Sequence, residues 1–215
     1  MGHIPKSDTS ALEIPSFKEA LKEALVPKEE YEVEKWLYVP CKYEEYRYIL
    51  ATRGKNPLIC IGINPSTARP GALDNTLKSV ERIALHNGYD SFVMFNLYAQ
   101  RATDPDSMER EQNLYLHRQN MEAFRYILGQ YRQPHVWAAW GAIIEKRGYL
   151  AGCAAEMYEI GGEYGAKWFT CGARSVKKGH PHHPLYLKKD SPLDPFEPEE
   201  YFDLLLKEAE KKSRK

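Results

Sequence analysis

The stretch Leu58-Ile59-Cys60-Ile61-Gly62-Ile63-Asn64-Pro65-Ser66-Thr67 decides the fold. Leu, Ile and Cys in a continuous run, without polar alternation, mark a strand buried on both faces, as in a parallel sheet covered by helices. Gly62 lets the backbone pass close to a neighbour, and Pro65 ends the strand. Small polar residues run from Ser66 to Gly71, and Asp74 then opens a helical pattern. The unit is strand, loop and helix, with the loop at the carboxyl end of the strand, where open α/β sheets bind their ligands.

Working outward, Leu77, Val80, Ile83 and Ala84 form one helical stripe, with Asp74 or Asn75 as cap and Gly88 just past the end. Phe92 to Phe95 predicts a second buried strand ending at Asn96, followed by a polar loop from Gln100 to Pro105. Leu114, Met121, Phe124 and Leu128 share a helix face. A third strand is predicted over His135 to Trp140, closed by Gly141 and a short helix from Ala142, and a fourth over Lys167 to Thr170. The segment from Gly172 to Asp190 is irregular and rich in Lys, His and Pro, and a final helix starts near Pro198. On the amino-terminal side, Phe17 to Val26 reads as a helix stopped by Pro27, behind a loose arm. Tyr46 to Thr52 reads as a strand that turns at Arg53 to Asn56 and pairs as a hairpin with the Leu58 strand. This alternation predicts an α/β protein, a three-layer α/β/α sandwich around a mainly parallel four-stranded central sheet. Residues 1–45 would form an arm with a short helix, and 46–215 a single domain.

The 215 residues carry 43% apolar side chains, enough for a real core, and a formal net charge of zero. That balance argues against a protein held to nucleic acid or membrane by bulk charge, and leaves room for a local basic patch. Cys41, Cys60, Cys153 and Cys171 form no CxxC pair, which favours free thiols in a reducing cytosol over a metal or iron–sulfur site. No apolar run reaches membrane-spanning length and the amino terminus lacks a signal-peptide pattern. The expectation is a cytoplasmic protein with no membrane partner and no cofactor.

Separated blocks, in order, resemble the uracil-DNA glycosylase superfamily. Ile61-Gly62-Ile63-Asn64-Pro65 is similar to the loop that follows the first core strand in the mismatch-specific and single-strand-selective branches. Phe92 to Leu97 resembles the second strand, ending in the Asn that reads the base edge. Val136 to Gly141 resembles the third, and His183-Pro184-Leu185 the closing His-Pro-Ser motif. The fuller pattern is Gly-x-Asn-Pro-Ser-Thr-Ala, Asp-x-Thr, Asn-Leu-x-Ala, Ala-Trp-Gly and His-Pro-Leu-Tyr. It is identified as that of the bacterial and phage family called domain of unknown function 1643. The chain departs from the mismatch-specific pattern at Ser66, where that branch has Gly, and in the enlarged block from Gly179 to Pro184.

The resemblance implies a nucleobase-recognising N-glycosidic hydrolase acting on nucleic acid. Asn64 would position water and His183 would donate to the leaving base, while Asn96 reads its edge. An amide is no strong base, so the reaction would be dissociative. Gly62, Ile63, Pro65, Ser66, Asp74, Thr76, Tyr98, Arg101, His180 and His182 are the further candidates for binding the substrate. Tyr98 or Phe95 is the candidate to stack on the base. Arg174, Lys177, Lys178, Lys188 and Lys189 flank the closing motif and are candidates for phosphate contacts. Plainer roles remain open for several: helix caps for Asp74 and Thr76, a loop brace for Arg101, a solvated surface for the lysines. A metal held by His180, His182, His183 and Cys171 is a further alternative. The partner is then nucleic acid or a nucleotide or nucleobase ligand, either hydrolysed or bound without turnover.

Overall fold

Leu58, Ile59, Cys60 and Ile61 are fully buried in strand β3 (Pro57–Gly62), at the centre of the sheet. The computed structural model describes residues 2–213. The remaining strands are β1 (Trp36–Val39), β2 (Ile49–Thr52), β4 (Ser91–Asn96), β5 (His135–Ala138), β6 (Lys167–Cys171) and β7 (Leu193–Pro195). They form one seven-stranded sheet in the order β1-β2-β4-β3-β5-β6-β7. β3 pairs in parallel with β4, placing Gly62 opposite Asn96, and in parallel with β5, which in turn pairs in parallel with β6.

The sheet differs from the expectation in two ways. It is mixed, because β1, β2 and β7 add antiparallel pairings outside the four parallel strands. The predicted hairpin between Tyr46–Thr52 and the Leu58 strand does not form, because β4 lies between β2 and β3. β2 pairs instead with β1 on one side and β4 on the other, so both its edges are satisfied. The stretch read as an amino-terminal arm is built into the molecule: β1 joins the sheet, and Phe17, Ala20 and Ala24 of helix α1 (Phe17–Ala24) enter the core.

Four further helices complete the fold: α2 (Asn75–His86), α3 (Leu114–Leu128), α4 (Tyr149–Glu163) and α5 (Glu199–Ser213). Among the described helices only α2 covers one face, packing Leu77, Val80, Ile83 and Ala84 on Leu58, Cys60, Phe92 and Met94. α1, α3, α4 and α5 cover the other, around Ile59, Ile61, Val93, Phe95 and Trp140. The chain leaves β3 toward β4 over one face and returns past it to β5 over the other. The crevice beyond the carboxyl ends of β3 and β5 is therefore a topological switch point. No helix among the described residues is long and apolar enough to cross a membrane.

Candidate functional site

A cleft of 820 Å³ opens at that switch point. It is lined by the loop after β3 (Gly62 to Thr67), the first turn of α2 (Asp74 to Leu77) and the end of β4 (Met94, Asn96). The turn after β5 (Gly141 to Ile143) and the segments around Arg174 and His183 close it. Its size lies in the range of small-molecule sites.

Asn96 is 1% exposed, and neither Oδ1 nor Nδ2 has a hydrogen-bond partner. Its backbone is held in place, since Asn120 Nδ2 on α3 donates to the Asn96 carbonyl at 2.9 Å. Gly62 gives the amide its space: a Cβ there would come within 3.1 Å of Asn96 Oδ1 and 2.7 Å of Met94 Cε. Asn64 is fixed differently. Its Nδ2 donates to the carbonyls of Ala102 at 2.7 Å and Pro65 at 3.1 Å, which spends both amide protons and leaves Oδ1 as the acceptor.

His183 begins the short 3₁₀ turn Pro184–Tyr186, and its Nδ1 accepts the Leu185 N–H at 3.3 Å. Burial first, then the neighbouring His182, lowers its pKa below the ordinary 6.5, against the pull of Asp74. A neutral ring with an accepting Nδ1 carries its proton on Nε2, which makes that atom a donor. Gly141 allows the β5 turn to pass beside it: φ is +62°, and a Cβ would meet His183 Cβ at 3.4 Å.

Asp74 caps α2 through Oδ1, accepting the Leu77 N–H at 2.9 Å, and it also lines the cleft with Thr76. Ile63, Pro65 and Ser66 line it too, the Ser66 hydroxyl bonding Thr103 Oγ1 at 2.9 Å. His182 borders the cleft with Nδ1 near the His183 carbonyl at 3.2 Å. His180 reaches the same wall, but both its ring nitrogens are engaged, with Glu145 at 2.8 Å and Tyr201 at 3.0 Å.

Three of the candidates for binding the base lie elsewhere. Tyr98 is fully buried, donating to Glu109 and accepting the Asn113 N–H at 2.8 Å. Arg101 is fully buried beneath the loop after β3, donating to the Ser66 and Ala68 carbonyls and to the Tyr38 hydroxyl. Phe95 packs edge-on against Phe124 in the core. Among the described residues no Phe, Tyr or Trp lines the cleft, so its apolar surface is aliphatic, from Ile63, Leu77, Met94 and Ile143.

Of the basic candidates, Arg174 lines the cleft with its guanidinium over the Phe196 ring, 5.2 Å from the centroid. Lys178 bridges Glu145 and Glu208, while Lys177, Lys188 and Lys189 are exposed. The four cysteines are buried free thiols, and Cys171 sits in the α2-side core. Away from the cleft, Cys153 approaches His117 Nδ1 at 3.5 Å, and His117 Nε2 meets Glu156 at 2.7 Å. Burial pushes that thiol up to about 12, which keeps it protonated at neutral pH.

Arg47 was not singled out in the sequence, yet it is 1% exposed and lines the cleft floor. The signal was a charged residue embedded in Tyr46-Arg47-Tyr48-Ile49, a run otherwise suited to burial.

The fold is that of an α/β protein with a cleft where its connections change direction. A model of the family "Protein of unknown function (DUF1643)" matches residues 47–185, more than half of the chain, and the chain belongs to that family. In comparisons with curated proteins and with solved structures, nothing matches.

Proposed function

We propose that the cleft holds a nucleobase and that the protein hydrolyses the N-glycosidic bond joining that base to its sugar in nucleic acid. The observation that carries this reading is the Asn96 amide. An unpaired buried polar group costs about 1–3 kcal/mol, a cost that a ligand bringing the missing partners offsets, as an ordered water does in its place. A donor and an acceptor side by side, reached past the bare backbone of Gly62, match the edge of a pyrimidine.

The chemistry follows from the other two groups. As the glycosidic bond breaks, electrons move onto the base, and the His183 Nε2–H donates to the base oxygen where that charge grows. Asn64 Oδ1, immobilised by the two bonds on Nδ2, accepts a hydrogen bond from the water that adds to the sugar cation; the proton this water then loses passes to solvent, and the departed base anion takes one up. The order of the motifs along the chain, similar to that of the uracil-DNA glycosylase superfamily, supports the same reading. Action on a free nucleoside or nucleotide is the second reading. It is favoured by the zero net charge and by Lys178, whose ammonium is already shared between Glu145 and Glu208.

Base release is the direct test, with oligonucleotides containing uracil or modified bases beside free nucleosides and nucleotides. Turnover by the wild type should fall about 100-fold or more in Asn64→Ala, Asn96→Ala and His183→Ala. Asn96→Ala should melt no lower than wild type, because it deletes an unsatisfied group. Absence of base release from every substrate removes the hydrolase, and base-dependent binding without turnover would assign the cleft to recognition alone.

A further inference from the structure

A buried charge lacking a counter-charge is costly, and the cleft floor contains one. Arg47 Nη1 donates to the Ala68 carbonyl at 3.1 Å, while Nε has no partner. Arg101 lies beside it with its own Nε unpartnered and donates to the same Ala68 carbonyl at 3.3 Å. Neither guanidinium forms an ion pair with a carboxylate among the described residues. Burial, and after it repulsion from Arg101, lowers the Arg47 pKa to about 9, so the side chain stays cationic at neutral pH.

α2 begins against the same floor. Asn75, Thr76 and Leu77 line the cleft with Arg47, and Asp74 takes the Leu77 N–H. The Asn75 and Thr76 N–H groups belong to the first turn, where an α-helix offers no acceptor, and the helix dipole adds positive potential there. Asp74 opposes this charge, but one carboxylate committed to a cap does not balance two guanidiniums and a helix terminus.

We propose that the floor between Arg47 and the first turn of α2 binds the phosphate of the ligand whose base Asn96 reads. A phosphate accepts from a guanidinium and from helix N–H groups in different directions at once, which a planar carboxylate does less well. The site makes the ligand a nucleotide. For the base it rests on the reading above, whereas the anion site itself stands on Arg47 and α2. A free 5′-monophosphate and a backbone phosphodiester share this chemistry.

The test uses the full chain. Thermal melting in inorganic phosphate, against chloride at matched ionic strength, should show a concentration-dependent rise. Calorimetric titration with the four common nucleosides, their 5′-monophosphates and a short oligonucleotide should show a monophosphate binding at least about tenfold tighter than its nucleoside. Arg47→Gln should bring the two affinities together, and Arg47→Lys should restore part of the difference. If Arg47→Gln fails to fold, the wild-type titrations decide.

No stabilisation by phosphate beyond chloride, or equal affinity for nucleoside and monophosphate, overturns the proposal and leaves the base reading intact. Phosphate binding without any affinity for nucleosides does the reverse: it supports the anion site and removes the base reading. Tighter binding of the oligonucleotide than of any monophosphate assigns the phosphodiester as the source, and the opposite order assigns the free nucleotide.

Discussion

Partial burial in the cleft wall, and after it the neighbouring His182, holds the His183 imidazole below the ordinary 6.5, against the pull of Asp74. His135 shows the same direction at the far end of the sheet, lowered by burial and then by Lys167, with the Tyr89 hydroxyl 2.8 Å from its Nδ1. In the unfolded chain both rings titrate near the ordinary 6.5, above their folded values. Their contribution to stability is therefore complete above about pH 6.5 and is lost as pH falls through the folded-state values, because the unfolded chain takes up the protons first. Melting temperature followed from pH 8 to pH 5 should decline below 6.5, and His135→Gln should flatten part of that decline. An unchanged slope in His135→Gln and in His183→Gln would remove these two rings as its cause. At this scale the place of Asn64, Asn96 and His183 at the cleft was legible through the resemblance of their motifs to those of the glycosylase superfamily, since a strand end or a His-Pro turn alone also suits a structural role. Arg47 was not, because a charge in a strand reads locally as an exposed face.

α2 does two jobs with its first turn: Asp74 caps it, and Asp74 to Leu77 border the cleft. Asp74→Asn separates them, since Asn caps about as well as Asp. Stability should stay within about 0.5 kcal/mol of wild type, read from denaturant unfolding. Losing the carboxylate that opposes Arg47 should at the same time raise the affinity for inorganic phosphate. An unchanged or lower affinity would count against an anion seated between Arg47 and the first turn of α2. The helices with a clean stripe and a cap could be read from the sequence, as could β3, β4 and β5 with their unbroken apolar runs. α4 could not, because Gly152, Gly161 and Gly162 interrupt it and its apolar residues do not keep to one side. β7, bounded by Pro192 and Pro195, is tolerated only as an edge strand, a position no local pattern announces.

In the whole molecule, the family match begins at residue 47, yet the sheet and core use what precedes it. β1 covers the outer edge of β2, and α1 seals the side opposite α2 with Phe17, Ala20 and Ala24. A chain starting at residue 46 would expose the edge of β2 and the apolar surface beneath α1. Such a truncation should lose its cooperative thermal transition and form aggregates in size-exclusion chromatography. A monomer that melts as the full chain does would show instead that the first 45 residues are dispensable to the fold.

The strand order also sets a schedule. β2 and β3 follow one another in the chain but are not neighbours in the sheet, and the strand that separates them, β4, is made only after α2. During synthesis β3 must therefore wait beside a vacant lane one strand wide. Arg47 can take its place on the floor of the crevice only when β4 has filled that lane and tied the two halves together. Competence to bind an anion there would report correct long-range pairing of β2 and β3 through β4 rather than local collapse.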